Sequence, residues 1–192
     1  MDLVGLNMGF SICGSFCTIG NAIEEIKHLK GLGVNIYPIM SFNVTKTDTR
    51  FGKSSDIIST VENITENKII DSIELAEPIG PEKKLDIMVV APCTGNTLAK
   101  INNGITDTPV TMAVKAHIRN NKPVVIALAT NDALGITLKN IGGLIIRKNM
   151  YFVPFGQDNY KSKPLSMVAD FSQIEETVKF ALAGEQIQPL LI

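Results

Sequence analysis

The sequence predicts a three-layer α/β fold with a mostly parallel central sheet flanked by helices, on three observations. Short β-branched runs alternate with longer stretches of helical periodicity, the pattern of parallel strands joined by crossover helices. The 192 residues are 45% hydrophobic and 19% charged, enough apolar material for one core without disulfides or metals. An apolar run ending at Ala91 and Pro92 then hands over to a helix through the small polar string Cys93-Thr94-Gly95-Asn96-Thr97, as a strand does at the ligand crevice of an open parallel sheet.

Gly9–Cys13 reads as the first strand. From Ile19 the residues Ile19, Ala22, Ile23, Ile26 and Leu29 recur at helical spacing until Gly31 and Gly33 stop the helix. Val34–Phe42 is the second strand, Phe51–Ile64 a weakly amphipathic helix, and Lys68–Ile70 a short strand before a Pro- and Gly-containing loop at Pro78–Pro81. The strand Asp86–Ala91, helices at Thr94–Asn102 and Thr108–Asn121, and the strand Pro123–Ala129 form the clearest βαβ block, with a right-handed crossover by default. Thr130–Gly135 is a loop or helix start, Gly142-Gly143 interrupts the stretch beyond it, and Tyr151–Phe155 is an edge strand. A last helix begins near Ser172, where SQIE has the form of a capping box, and runs to Gly184. The arrangement is Rossmann-like or flavodoxin-like, one domain over 1–192 with a flexible tail from about residue 185.

Eighteen basic residues against nineteen acidic ones leave a formal charge of -1, which with no basic stripe argues against nucleic-acid binding. No apolar run approaches the roughly 20 residues of a membrane span, and the start MDLVGLNMGFSIC lacks the positive segment of a secretion signal. No membrane association is expected, and the location expected is the cytoplasm. Three cysteines are an odd number, against a disulfide framework, and the spacing of Cys13 and Cys17 matches no common zinc motif.

Three predicted strand ends carry small polar residues: Gly14-Ser15, Ser41-Phe42-Asn43, and the string from Cys93 to Thr97. The fold would converge them. Bare backbone amides and the hydroxyls of Ser15, Ser41, Thr94 and Thr97 suit an anion such as a phosphate, whereas Thr94 alone would also serve as a plain helix cap. GxGxxG is absent, since the first turn reads CGSFCTIG. Cys93, at a helix start, is a candidate nucleophile, although small buried cysteines are usually inert. His117, near a helix C-terminus, reads as a dipole-complementing cation, His28 as a solvated side chain, and Lys46 and Arg50 as loop cations that either attract a dicarboxylate or, as is usual for scattered loop cations, bind nothing. Met8, Met40 and Met88 read as core filler.

Ala91–Ala116, APCTGNTLAKINNGITDTPVTMAVKA, resembles the P-A-S-A-N-T and following I-A-x-G-x-x-D pattern of the flavoprotein superfamily of homo-oligomeric flavin-containing cysteine decarboxylases. Val124–Gly135, Arg147–Asn159 and the pair Lys163-Pro164 extend the resemblance toward one branch, the B subunits of dipicolinate synthases, from about Gly5 to Ala183. The resemblance implies that Gly14, Ser15 and Ser41 line the phosphate end of an FMN-type site with Asn43 also among the cofactor-binding residues, that Pro92, Cys93, Thr94, Asn96 and Thr97 face the flavin ring or substrate, and that Asp107 braces the loop. Thr130 and Asn131 stand where the family has its substrate clamp, with Asn131 alone in register, and Asn96 is the best candidate for a catalytic side chain.

The branch implies an oxidoreductase component. It would work with the dipicolinate synthase A subunit, which carries NADP, on a small dicarboxylate, oxidising dihydrodipicolinate to dipicolinate in the mother cell of a sporulating bacterium. It also implies a homo-oligomer, a trimer or a multiple of one. The histidine base that decarboxylase members carry after the second strand has no counterpart in Asn43–Ile64, which disfavours oxidative decarboxylation of a cysteine. Two other readings stand beside this one: a non-catalytic stabilising partner with a vestigial flavin pocket, and an autonomous FMN-dependent decarboxylase.

Overall fold

A computed structural model describes residues 2–192. Five parallel strands form the centre of the molecule: β1 (Asn7–Ile12), β2 (Asn35–Met40), β3 (Ile87–Cys93), β4 (Val124–Thr130) and β5 (Met150–Phe152), in the order β2-β1-β3-β4-β5. At its far end β4 also pairs antiparallel through Ala129 and Thr130 with β7 (Met167–Ala169), which pairs with β6 (Phe155–Gly156). Every residue of β3 is buried, and such a strand can sit only in the middle of a sheet covered on both faces.

The chain leaves β1 in one direction to reach β2 and returns past β1 to reach β3, then β4. Right-handed crossovers therefore place α1 (Ile19–Gly31) on one face and α6 (Gly95–Asn103), α7 (Pro109–Ile118) and α8 (Leu138–Ile145) on the other. α1 buries Ile19, Ala22, Ile26 and Leu29, the periodic residues of the sequence. Its face is completed by α9 (Ile174–Leu182), joined to α1 by His28 Nε2 on Glu175 Oε2 at 2.6 Å. Met8, Met40 and Met88 are fully buried in strands, as core filler should be. No helix among the described residues is long and apolar enough to cross a membrane.

Several elements differ from the sequence reading, each for a local reason. β2 stops at Met40 because Ser41 opens a short helix, α2 (Phe42–Lys46), ahead of α3 (Ser54–Thr65). Lys68–Ile70 contributes only a single bridge between Ile70 and Ile39. Pro78–Pro81 is not a loop: Ser72 caps α4 (Ile73–Ala76) by accepting from the Leu75 amide, and α5 (Ile79–Glu82) comes next with Pro78 as its N-cap. β3 continues through Pro92 to Cys93, with the Ala91–Pro92 peptide cis and the register against β4 shifting between Val90 and Cys93. Proline in a strand belongs at such an irregularity.

Gly142 and Gly143 lie inside α8 and do not break it. A Cβ at Gly143 would come within 2.6 Å of Asn102 Oδ1, so the glycine lets α8 lie close against α6. The edge strand expected over Tyr151–Phe155 divides into β5 and β6 at Pro154. Ser172 caps nothing: Asp170 accepts from the Ser172 amide at 3.1 Å, and Ser172 lies in the 3-10 turn that precedes α9. The segment expected to be a flexible tail is hydrogen-bonded into the fold. Gln186 pairs with both backbone groups of the buried Phe152, at 2.8 and 2.7 Å, and Leu191 forms a bridge with Phe155.

Candidate functional site

Strand order reverses between β1 and β3, and in an open α/β sheet the ligand crevice opens beyond the strand ends at such a switch point. Two joined hollows lie there. The first, about 410 Å³, is lined by Gly14, Ser41, Phe42, Asn43, Thr94, Asn96, Thr97, Lys100, Asp107 and Thr108. The second, about 430 Å³, is lined by Gly14, Ser15, Phe16, Cys17, Arg50, Phe51, Thr94, Ala129, Thr130, Asn131 and Lys163. Gly14 and Thr94 belong to both and form the saddle between them.

Local chemistry holds the lining. Thr94 is the N-cap of α6, its Oγ1 accepting from the Thr97 amide at 3.3 Å and donating to Thr97 Oγ1 at 3.1 Å. This fixes the first turn, from which Asn96 lines the first hollow. On the other side Thr108 and Thr111 cap α7 reciprocally, with Pro109 at its first position. Lys100 ties the connection between these helices by reaching both carboxylate oxygens of Asp107, at 2.8 and 2.9 Å, and these hydrogen bonds hold the Asp107 carboxyl below its ordinary range. Lys100 and Asp107 thus form an ion pair across the α6–α7 turn.

Gly95 has a steric reason that the sequence did not disclose. Asp132 Oδ1 accepts from Thr130 Oγ1 at 2.6 Å and from Thr137 Oγ1 at 2.9 Å, and a Cβ at Gly95 would come within 2.8 Å of all three oxygens. The first turn of α6 thus rests on this carboxylate and its two hydroxyls. Asn96, next along, also lines a third hollow of about 350 Å³ with Asp132, Ile136 and Thr137.

Ten of the sequence-selected residues meet in the two joined hollows: Gly14, Ser15, Ser41, Asn43, Thr94, Asn96, Thr97, Asp107, Thr130 and Asn131. Pro92 and Cys93 do not. Both are buried within β3 and line neither hollow. Burial also pushes the Cys93 thiol well above its ordinary pKa, with the neighbouring Cys13 adding to the effect, and pushes Cys13 up to about 11. Neither is a thiolate near neutrality. Phe42, Lys163 and Arg50, also singled out in the sequence, line the hollows too, whereas Phe16, Phe51 and Lys100 join the lining without a local signal in the sequence, because they converge only through the fold.

Neither histidine reaches the hollows. His28 is tied to Glu175, and His117, read as a cation at a helix end, is instead buried and neutral: its Nε2 donates to the Pro123 carbonyl at 3.0 Å, and burial lowers its pKa to about 4. Lys46 and Arg50 lie over phenyl rings, those of Phe42 and Phe51, at 4.7 and 4.9 Å.

A flavin phosphate and its ribityl chain need small hydroxyl-bearing walls, and the first hollow supplies them. Ser41 Oγ is the telling atom: it is buried, lies at the hollow and has no hydrogen-bond partner within the protein. A buried hydroxyl left in that state calls for an external partner. Phenyl rings at Phe42, Phe16 and Phe51 give flat apolar surface for a ring system.

A doubly wound sheet in the order 2-1-3-4-5, with a hydroxyl-lined cleft at the β1/β3 switch point, defines the flavodoxin-like class of α/β proteins. The chain belongs to the Flavoprotein family, whose model matches residues 2–182. It is 45% identical over 191 residues to the B subunit of dipicolinate synthase from Bacillus subtilis, covering 100% of this chain and 96% of that protein. The crystal structure of the corresponding B subunit from Bacillus halodurans superposes with a TM-score of 0.92 at 47% identity, covering 100% of this chain and 98% of the other. The FMN-dependent cysteine decarboxylase SpaF shares the fold, with a TM-score of 0.72 at 22% identity over 94% of this chain and 97% of its own. The sequence resemblance to the branch of B subunits is thereby borne out over the whole chain.

Proposed function

We propose that this chain is the B subunit of a dipicolinate synthase, which joins an A subunit to oxidise dihydrodipicolinate to dipicolinate in the cytoplasm of a sporulating mother cell. The full-length identity to the B. subtilis protein carries the reading. In this reaction the dihydropyridine loses a hydride and a proton to leave an aromatic ring, and the hydride goes to NADP held by the A subunit. A flavin bound in the first hollow would supply a two-electron carrier.

The chain's own residues bind and orient. Ser41, Asn43 and Gly14 hold the phosphate end of FMN, while Thr94, Thr97 and Asn96 stand toward its ring. The Asn96 amide can donate and accept at once. Homo-oligomers, trimers or multiples of them, complete the assembly, and light scattering that gave a mass near 20.8 kDa would count against them.

The lack of an imidazole in either hollow favours this reading over autonomous decarboxylation of a cysteine. The deciding experiment expresses the chain with and without the A subunit, then measures NADP-dependent formation of dipicolinate. Activity only in the mixture, with a flavin absorption band on the isolated chain, supports the proposal. Activity only in the mixture from a colourless chain points to a stabilising partner with a vestigial pocket, and release of carbon dioxide from a cysteinyl peptide points to a decarboxylase.

A further inference from the structure

We propose that the second hollow is a diacid site, in which Arg50 and Lys163 hold the two carboxylates of a small planar dicarboxylate whose ring lies against Phe16 and Phe51. The naming of that diacid as a pyridine dicarboxylate rests on the function proposed above. The residues and the charge balance are independent of it.

The two joined hollows differ in charge. In the first, the cation Lys100 is neutralised by both oxygens of Asp107. In the second, Arg50 and Lys163 line the wall and no carboxylate does. A dianion entering the crevice is therefore drawn to the second compartment.

Both cations have free capacity. Arg50 stacks over the Phe51 ring at 4.9 Å and makes no ion pair among the described residues, so its guanidinium fork remains open for a carboxylate. Lys163 has one carboxylate neighbour, Asp158, at the long distance of 3.4 Å, and its side chain is half exposed. It can turn toward a better partner without losing a strong bond.

The apolar walls fit the rest of such a ligand. Phe16 and Phe51 offer ring faces, and Asn131 adds an amide beside them. A hollow of about 430 Å³ lies within the range of small-molecule sites. It shares Gly14 and Thr94 with the first hollow, so a diacid here would lie next to a ring bound there.

The test titrates dipicolinate, and picolinate as the matching monoacid, into the purified chain by calorimetry, alone and with the A subunit. Wild type, Arg50→Gln, Lys163→Gln and the double variant are compared, with FMN affinity and thermal melting measured on each. Wild type should prefer the diacid by about tenfold, and each substitution should weaken diacid binding about tenfold while the monoacid changes little. FMN affinity and melting temperature should stay at wild-type values, since both side chains lie at the surface. Unchanged diacid binding in the double variant overturns the proposal, as does a wild type that shows no preference for the diacid. Loss of FMN affinity in the variants also overturns it, by assigning the cations to the flavin phosphate. If no variant, nor wild type, binds FMN while diacid preference still depends on Arg50 and Lys163, the flavin reading fails and the diacid site stands.

Discussion

The Cα of Gly95 rests on the carboxylate of Asp132. A methyl group at Gly95 would sit 2.8 Å from Asp132 Oδ1 and equally close to the hydroxyls of Thr130 and Thr137, so the start of α6 and the end of β4 share one small polar bearing. Gly95→Ala must displace either the helix or that cluster. The expected cost is about 1–3 kcal/mol for overpacking, or roughly 2–4 °C of melting temperature for each kcal/mol in a chain of this size. Gly95→Ala/Asp132→Ala should lose less than the sum of the single changes, because the second substitution vacates the space the first one needs. Strict additivity in thermal melts would show that the two residues do not share that space.

Ser41→Ala separates stability from binding. Ser41 Oγ is buried without a partner, so its removal breaks no hydrogen bond in the free protein and relieves a desolvated hydroxyl. The free variant should melt at or slightly above the wild-type temperature. FMN affinity, read from flavin fluorescence on titration, should fall about tenfold, the size of one hydrogen bond to a charged phosphate. A variant that binds FMN like wild type would remove Ser41 from the phosphate site.

Much of this fold was legible in the sequence, and the reasons are local. β1, β3 and β4 are apolar runs buried on both faces, α1 carries its apolar stripe at helical spacing, and Thr94 and Thr108 mark helix starts by their chemistry. The features that escaped depend on partners distant in the chain. Gly143 looks like a helix breaker until Asn102 is found against it, and Gly95 looks like a flexible turn until Asp132 is found beneath it. Cys93 looks like a ring-facing residue because the strand seems to end at Ala91, whereas the irregular register around Pro92 carries the strand on and turns the thiol inward. Arg50 and Lys163 are far apart in sequence, and their shared hollow exists only once β1, β3 and β4 are side by side.

Thiol labelling should distinguish the three cysteines sharply. Cys17 is exposed, whereas Cys13 and Cys93 are buried and burial raises both of their pKa values. Near neutral pH one thiol per native chain should react with an aromatic disulfide reagent, and all three after denaturation. Fast reaction at Cys93 in the native chain, mapped by mass spectrometry, would overturn the buried placement of the end of β3.

His117 makes stability fall in mild acid. Its imidazole, carried in the last turn of α7, is buried, donates to the Pro123 carbonyl, and has a pKa of about 4 in the folded chain against about 6.5 for an unhindered imidazole. The cause is chiefly the cost of burying a charge, only partly offset by the bond to the carbonyl, which favours the protonated ring. Between those two values the unfolded chain binds a proton that the folded chain refuses, so stability rises with pH across the window. The contribution is complete above about pH 6.5 and is lost as pH falls through about 4, an effect of about 3 kcal/mol. His117→Gln keeps a donor for Pro123 without a titrating ring, so its urea-unfolding free energy should be flatter than wild type between pH 6.5 and 4, with the two curves converging toward the acid end. Parallel curves would mean that the folded chain protonates His117 as readily as the unfolded one, and that the ring is not buried as a neutral group.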